Sequence, residues 1–120
     1  MADAAVQMFA EVNGSCPLLE WLDAQNEKVR LKCIVRIERL SEEGHRLRRP
    51  EADFLRDGIH ELRVRMGTVN YRMLYFFHDQ QPILSHGLTK EDKVPDKEIN
   101  LAIQRKQLFE NDPDRHTYKD

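Results

Sequence analysis

The 120-residue chain lacks several features that would place it in a specialised class of protein. No apolar run approaches the roughly 20 residues that a membrane-spanning helix needs, so we expect no membrane contact. The first residues, MADAAVQMFAEV, contain no basic region followed by an apolar core, so we expect no signal peptide. We therefore expect a cytoplasmic protein whose two cysteines, Cys16 and Cys33, are free thiols.

Metal-ligand and nucleotide-binding motifs are also missing. The histidines and cysteines form no H-x-x-x-H or C-x-x-C cluster, and the sequence has neither a P-loop nor a dinucleotide-binding glycine pattern. We therefore expect no metal and no cofactor. The net charge of −2 argues against a protein held on nucleic acid by bulk charge alone, but it leaves room for a local basic site.

The composition, with 33% charged and 40% hydrophobic residues, is typical of a soluble globular protein. We expect one domain over residues 1–120, with its core at about residues 5–110 and a frayed C-terminal tail. Alternating apolar and polar residues predict three consecutive strands at about 58–66, 71–78 and 82–89. Their short connections require antiparallel neighbours.

Helical patterns flank these strands. A short strand at 7–12 precedes an apolar stripe of helical spacing over 17–43, which residues 25–27 divide into two helices. A final helix is predicted over 95–111. The order β-α-(α)-β-β-β-α predicts a small α+β domain, in which helices cover one face of an antiparallel central sheet and leave an open concave face.

Three arginines lie at strand positions. Arg63 and Arg65 alternate with apolar residues on the first of the three strands, and Arg72 lies on the second, which is apolar on both faces. An ordinary hairpin register would bring their side chains into one patch. Because a guanidinium offers paired donors to two oxygens, the patch favours phosphate as its partner.

Further residues extend this patch. Lys90 ends the third strand, and His86 lies four residues earlier on the same face. Cations with a His or a Tyr such as Tyr75 can cleave RNA without metal, by activating the 2′-hydroxyl, stabilising the phosphorane and protonating the leaving oxygen. The other basic residues near the strands are candidate RNA contacts: Arg46, Arg48, Arg49, Arg65 and Lys93.

Each candidate also has a structural alternative. An ion pair with Glu61 or Glu98 is the alternative for Arg63, and a satisfied structural role is the alternative for Arg72. Core packing is the alternative for Tyr75, and capping of a strand is the alternative for His86.

Four segments in a fixed order carry a family resemblance. They are DGIHELRVR (57–65), YRMLYFF (71–77), ILSHGLTK (83–90) and PDKEINLAIQR (95–105). Together they resemble the phage-derived Gp49-like, HigB-type branch of the RelE/ParE toxin superfamily, over about residues 5–110. The chain departs from the family pattern at Leu88, where a Phe is usual, and it lacks the C-terminal tyrosine of some RelE relatives.

The resemblance implies the toxin of a type II toxin–antitoxin system, with metal-independent endoribonuclease activity in the ribosomal A site and inhibition of translation by cleavage of mRNA. It implies a cognate antitoxin of helix-turn-helix type, and contact with operator DNA only through that antitoxin. Arg63, Arg72 and Lys90 match the family's arginines and lysine and would bind phosphate and stabilise the transition state. His86 and Tyr75 are the candidates for proton transfer.

The same resemblance leaves two other functions open. The superfamily includes gyrase-directed toxins, so an inhibitor of gyrase is one alternative. A non-catalytic module that binds an antitoxin and acts in operon autoregulation is the other.

Overall fold

A computed structural model describes residues 5–89 and 93–119 of the chain. In chain order its elements are β1 (Gln7–Met8), α1 (Pro17–Asp23), α2 (Glu27–Glu43), a 3-10 turn (Gly44–Arg46), β2 (Ala52–Arg56), β3 (Ile59–Met66), β4 (Val69–His78), β5 (Gln81–Thr89), α3 (Asp96–Asn111) and α4 (Pro113–His116). Within the described ranges, no helix has both the length and the apolar character required to cross a membrane.

The strands form one open sheet in the order β1-β5-β4-β3-β2. β2 to β5 are antiparallel neighbours, whereas β1 pairs with β5 in parallel, so the sheet is mixed. Asp79 and Gln80 join β4 to β5, and both have positive φ, as in the primed turns that suit the twist of a hairpin. The predicted α+β fold class, with its three consecutive antiparallel strands, is confirmed.

The helix boundaries follow local signals. Pro17 opens α1, where its missing N–H costs nothing. Asn26 caps α2, because its side chain accepts a hydrogen bond of 3.0 Å from the backbone N–H of Val29. Gly44 ends α2 with a φ of 55°. The predicted division into two helices is therefore confirmed.

Helices cover both faces of the sheet, so the expectation of helices on one face alone needs correction. α1 and α2 pack on the face that carries Met73, and both cysteines are free and lie buried on this side. α3 packs on the opposite face, which carries Leu74. Met73 and Leu74 are both 0% exposed, and a strand that is apolar on both faces requires a cover on each.

The segment between α2 and β3 contains an edge strand that the sequence pattern did not reveal. Residues 44–57 are mostly polar in sequence, but β2 pairs there with β3, with Ala52 opposite Leu62 and Phe54 opposite His60. Only Ala52 of this strand is buried, and the register shifts after Phe54. The strand is too short and irregular to show an alternation of apolar and polar residues in the sequence.

Residues 113–118, which belong to the tail predicted to be frayed, are docked against the domain. The ring of His116 is buried, stacks on Phe9 with centroids 5.0 Å apart, and places Nδ1 2.9 Å from the carbonyl oxygen of Ala10. Thr117 forms a β-bridge with Phe9. These contacts lie within the first strand predicted at 7–12, of which only Gln7–Met8 pairs with β5.

His116→Ala should lower the free energy of unfolding by about 1–3 kcal/mol, because it removes a buried ring and leaves a carbonyl without its partner. Urea denaturation followed by circular dichroism measures the change. Arg115→Ala, at an exposed neighbour, should stay within about 0.5 kcal/mol of the wild type. Equal stability of the two variants would show that the chain end does not support the core.

Candidate nucleic-acid interface

The register of β3 and β4 brings the predicted arginines together. Arg63 lies directly opposite Arg72, and Arg65 lies opposite Asn70. Directly opposed residues have Cβ atoms about 4.5–5.5 Å apart, so the two guanidiniums of Arg63 and Arg72 start from adjacent positions. Both lie on the face that α3 partly covers, because they alternate with the residues that face α1 and α2.

Arg72 is buried against a carboxylate. The side chains of Arg72 and Glu61 are 9% and 4% exposed, and Nη1 of Arg72 donates a hydrogen bond to Oε1 of Glu61. Nε of Arg72 is also buried but has no hydrogen-bond partner among the described residues. A buried donor without a partner is costly, and an anion that reached it would satisfy it.

Arg63 is held by its backbone and is only partly buried. Its N–H donates to the carbonyl oxygen of Glu51 at 2.8 Å, and its carbonyl accepts a hydrogen bond of 2.7 Å from Nη1 of Arg36. These two bonds fix where the side chain leaves β3. The guanidinium itself has no carboxylate within 4.0 Å in residues 5–89 and 93–119.

The two carboxylates suggested as partners of Arg63 are engaged elsewhere. Glu61 pairs with Arg72, and Oε1 of Glu98 lies 3.1 Å from Nε2 of His86. The structural alternative for Arg63, an ion pair with either glutamate, therefore does not occur. For Arg72 the structural pairing does occur, with Glu61.

Both arginines line a cavity of about 490 Å³ between β2, β3, β4 and the start of α3, which we call the arginine cleft. Its charged lining comprises five cations and three carboxylates: Arg49, Arg56, Arg63, Arg72, Lys93, Asp53, Glu61 and Asp96. A second cavity, of about 310 Å³, is lined by Arg63 and Arg72 together with Arg36 and Arg65.

Each carboxylate of the arginine cleft has its own cation. Besides the pair of Glu61 and Arg72, Asp53 lies 2.7 Å from Arg49, and Asp96 lies 3.6 Å from Arg56. The hydrogen bond from Arg49 lowers the pKa of Asp53, so this carboxyl is ionised at neutral pH and cancels the charge of Arg49. Two cations of the described lining have no carboxylate of a described residue within 4.0 Å, Arg63 and Lys93.

His86 lies on the same face but under α3. Arg72 is opposite Leu88, and His86 is two residues away along β5. Its Nε2 contacts Glu98, and its Nδ1 lies 2.8 Å from Oγ of Ser85. Burial is the main reason that the pKa of His86 is lowered, and the hydrogen bond to Glu98 opposes the shift. With both ring nitrogens engaged, His86 connects β5 to α3 and does not line the arginine cleft.

Tyr75 lies apart from the arginines, on the face that packs against α1 and α2. Its side chain is buried, and burial raises the pKa of its hydroxyl far above the ordinary value. Tyr75 stacks against His60, with ring centroids 5.1 Å apart. This position matches the core role that was its structural alternative.

The remaining predicted residues that the structure describes lie partly in the cleft and partly outside it. Lys90 lies outside the described residues. Arg65 is exposed, and its Nε donates to the carbonyl oxygen of Gly67 at 3.1 Å. Arg46 is exposed and lies 3.8 Å from Glu43. Two of the others line the arginine cleft, Arg49 and Lys93.

Sequence reasoning missed Glu61 and Arg56 as members of the site. Glu61 shares a face with Arg63 by strand alternation, so the pattern contained a signal, but it did not show that the carboxylate reaches Arg72 across the hairpin. Arg56 reaches Asn100 of α3, at 2.8 Å, across 44 residues of sequence, and no local pattern could reveal that contact.

The family model of the phage-derived Gp49-like proteins (DUF891) matches residues 20–107, well over half of the chain. The chain belongs to this family. It is the family of HigB/RelE-like toxins. The match begins within α1 and ends within α3, so it includes β2 to β5 and every residue of the arginine cleft. No curated protein matches this Gp49-like chain.

Glu61→Ala should lower the free energy of unfolding by about 3–5 kcal/mol, because it leaves the buried charge of Arg72 uncompensated. The double variant Glu61→Leu/Arg72→Met should lose less, since it removes both charges. Chemical denaturation of the two variants tests this.

Glu110→Ala is the matched control, because Glu110 pairs with Lys106 at 3.2 Å on the surface. It should cost no more than about 1 kcal/mol. A Glu61→Ala variant as stable as this control would contradict the account of the buried pair.

Proposed function

We propose that this Gp49-like chain is the toxin of a type II toxin–antitoxin system and a metal-independent, ribosome-dependent mRNA endonuclease that inhibits translation. The observation that carries the proposal is the pair of opposed arginines, Arg63 and Arg72, in a cleft where each carboxylate of the described residues is paired. The cleft retains positive charge at Arg63 and Lys93, which suits a phosphate. Membership of a toxin family supports the same function.

The proposed reaction is attack of an RNA 2′-hydroxyl on the adjacent phosphate. A new bond forms between the 2′-oxygen and phosphorus, and the bond to the 5′-oxygen breaks, which leaves a 2′,3′-cyclic phosphate and a 5′-hydroxyl. Solvent water would accept the proton of the 2′-hydroxyl and supply one to the 5′-oxygen. Negative charge accumulates on the non-bridging oxygens of the phosphorane. The role of Arg63 and Arg72 is to donate hydrogen bonds to those oxygens, with Lys90 as a third cation.

The two arginines would act differently. Arg72 is held in place by its ion pair with Glu61. The conformational entropy of its guanidinium is therefore lost during folding and not during the reaction. Arg63 is more exposed and carries no carboxylate in the described part of the chain, so its charge is available to the phosphate. Arg72 would therefore orient the phosphate, and Arg63 would compensate its negative charge.

Neither His86 nor Tyr75 is placed to transfer a proton in the arginine cleft. Both ring nitrogens of His86 are engaged, and Tyr75 lies on the other face of the sheet. His86 would instead have a positioning role between β5 and α3. Tyr75 would have a role in the core.

The proposed partners are the ribosome with its mRNA and a cognate antitoxin of helix-turn-helix type, through which alone the toxin would contact operator DNA. The compartment would be the cytoplasm. With a net charge of −2, attraction to ribosomal RNA would be confined to the arginine cleft and its rim.

Arg63→Ala should reduce mRNA cleavage by about 100-fold in a purified translation system, because it removes a donor to the transition-state charge. Arg63→Lys should recover part of the activity, since it keeps the charge and loses the paired donors. Growth arrest after induction should fall in parallel. Lys28→Ala, at an exposed residue of α2, is the control and should leave cleavage unchanged.

Full cleavage by a folded Arg63→Ala variant would contradict the catalytic assignment. Toxicity with a DNA-damage response and no mRNA cleavage would favour a gyrase-directed toxin. Absence of toxicity in the wild type, with retained antitoxin binding, would favour the non-catalytic module.

A further inference from the structure

A cavity of about 260 Å³ lies on the other side of the edge strand β2 from the arginine cleft. We call it the aromatic pocket. Five rings and two arginines dominate its lining: His45, Phe54, His60, Tyr75, Phe77, Arg48 and Arg49. No residue of this group belongs to the proposed catalytic set.

The rings of the aromatic pocket already stack on one another. His45 lies flat on Phe77, with centroids 3.6 Å apart and planes 17° apart. His60 meets Phe54 edge to face, at 5.1 Å and 70°. His45 and Phe54 are both exposed, so each leaves ring surface open to solvent. Exposed rings are the surfaces on which proteins stack the bases of single-stranded nucleic acid.

Phe54 is 56% exposed, although it belongs to a strand. A phenylalanine that served only the core would bury most of its ring, because burial is what stabilises it. Phe54 instead leaves much of its ring to solvent at the edge of the sheet, beside His60. Because its ring is exposed beside basic residues, Phe54 can stack with a ligand that enters the pocket.

His60 is suited to contact a nucleobase rather than a phosphate. Burial lowers its pKa, and the neighbouring His45 lowers it further, so the ring of His60 is neutral at pH 7. A neutral imidazole has one donor and one acceptor, as the edge of a base requires. The positive charge at the pocket comes from Arg48, which is exposed.

The aromatic pocket and the arginine cleft are adjacent. Arg49, Asp53 and Phe54 line both of them, so a single strand, β2, is the wall between the two. A polymer that placed a phosphate beside Arg63 could therefore cross the edge at Phe54 and place a neighbouring base in the pocket.

We propose that the aromatic pocket binds one base of the single-stranded RNA whose phosphate lies in the arginine cleft, by stacking against Phe54 and His45. The inference rests on the proposed function and adds a subsite to it. Stacking is tolerant of sequence, so the pocket would strengthen binding of any base and select strongly for none.

The test uses the full chain and two fluorescent hexanucleotides with 2′-O-methyl riboses, which cannot be cleaved. One carries bases, and the other is abasic at every position and keeps only the phosphates. Fluorescence anisotropy gives the affinity of each for the wild type and for Phe54→Ala. Leu108→Ala removes an exposed apolar side chain from α3, 45% exposed, and is the matched control.

Phe54→Ala should weaken binding of the base-bearing RNA by about 10-fold and leave binding of the abasic RNA unchanged. Phe54→Trp should restore the affinity, and the fluorescence of the new indole should be quenched by the bound base. Leu108→Ala should change neither affinity. Arg63→Ala should weaken binding of both RNAs, because it acts on the phosphate.

Equal affinity of the wild type for the two RNAs, or an equal effect of Phe54→Ala on both, would overturn the base pocket. If Arg63→Ala still weakened both, the proposed function would stand without the pocket. Failure of the wild type to bind either RNA, or no effect of Arg63→Ala, would contradict the base pocket and the binding of phosphate at Arg63. Cleavage in the purified translation system would then decide the proposed function separately.

Discussion

The buried ion pair of Glu61 and Arg72 is the constraint on which the site depends. The pair links β3 to β4 beneath the arginine cleft, and both side chains are almost wholly removed from water. Because a slip of one residue would turn every side chain of a strand to the other face, the pair would have no partner in a shifted register. It therefore makes the alignment of Arg63 with Arg72 part of the folded state.

A second group of charges holds the edge of the cleft. Nε and Nη2 of Arg39 donate to the carboxylate of Glu51 at 2.8 and 3.0 Å, and Arg36 of the same helix donates to the carbonyl of Arg63. α2 thus holds the start of β2 and the backbone of β3 together. This connection explains how a five-residue edge strand can separate the arginine cleft from the aromatic pocket.

Local patterns predicted much of the fold and part of the site. The division of α1 from α2, the bounds of α3 and the meeting of Arg63 with Arg72 all follow from capping, periodicity and a short turn, which act between near neighbours. β2 was missed because its pairing with β3 leaves only Ala52 buried. The engagement of His86 by Glu98 was also missed, because it joins a strand to a distant helix and depends on tertiary packing.

The most direct test of the account is nuclear magnetic resonance of the arginine side chains, with a trinucleotide whose 2′-hydroxyls are replaced by hydrogen. The free protein holds Nε of Arg72 buried and without a partner in the described structure. Binding of a phosphate in the cleft should shift the Nε–Hε signal of Arg72 and slow its exchange with water, and the shift should be lost in Arg63→Ala. An Arg72 signal that stays unchanged while the trinucleotide binds elsewhere would contradict the claim that this arginine is held ready for a phosphate.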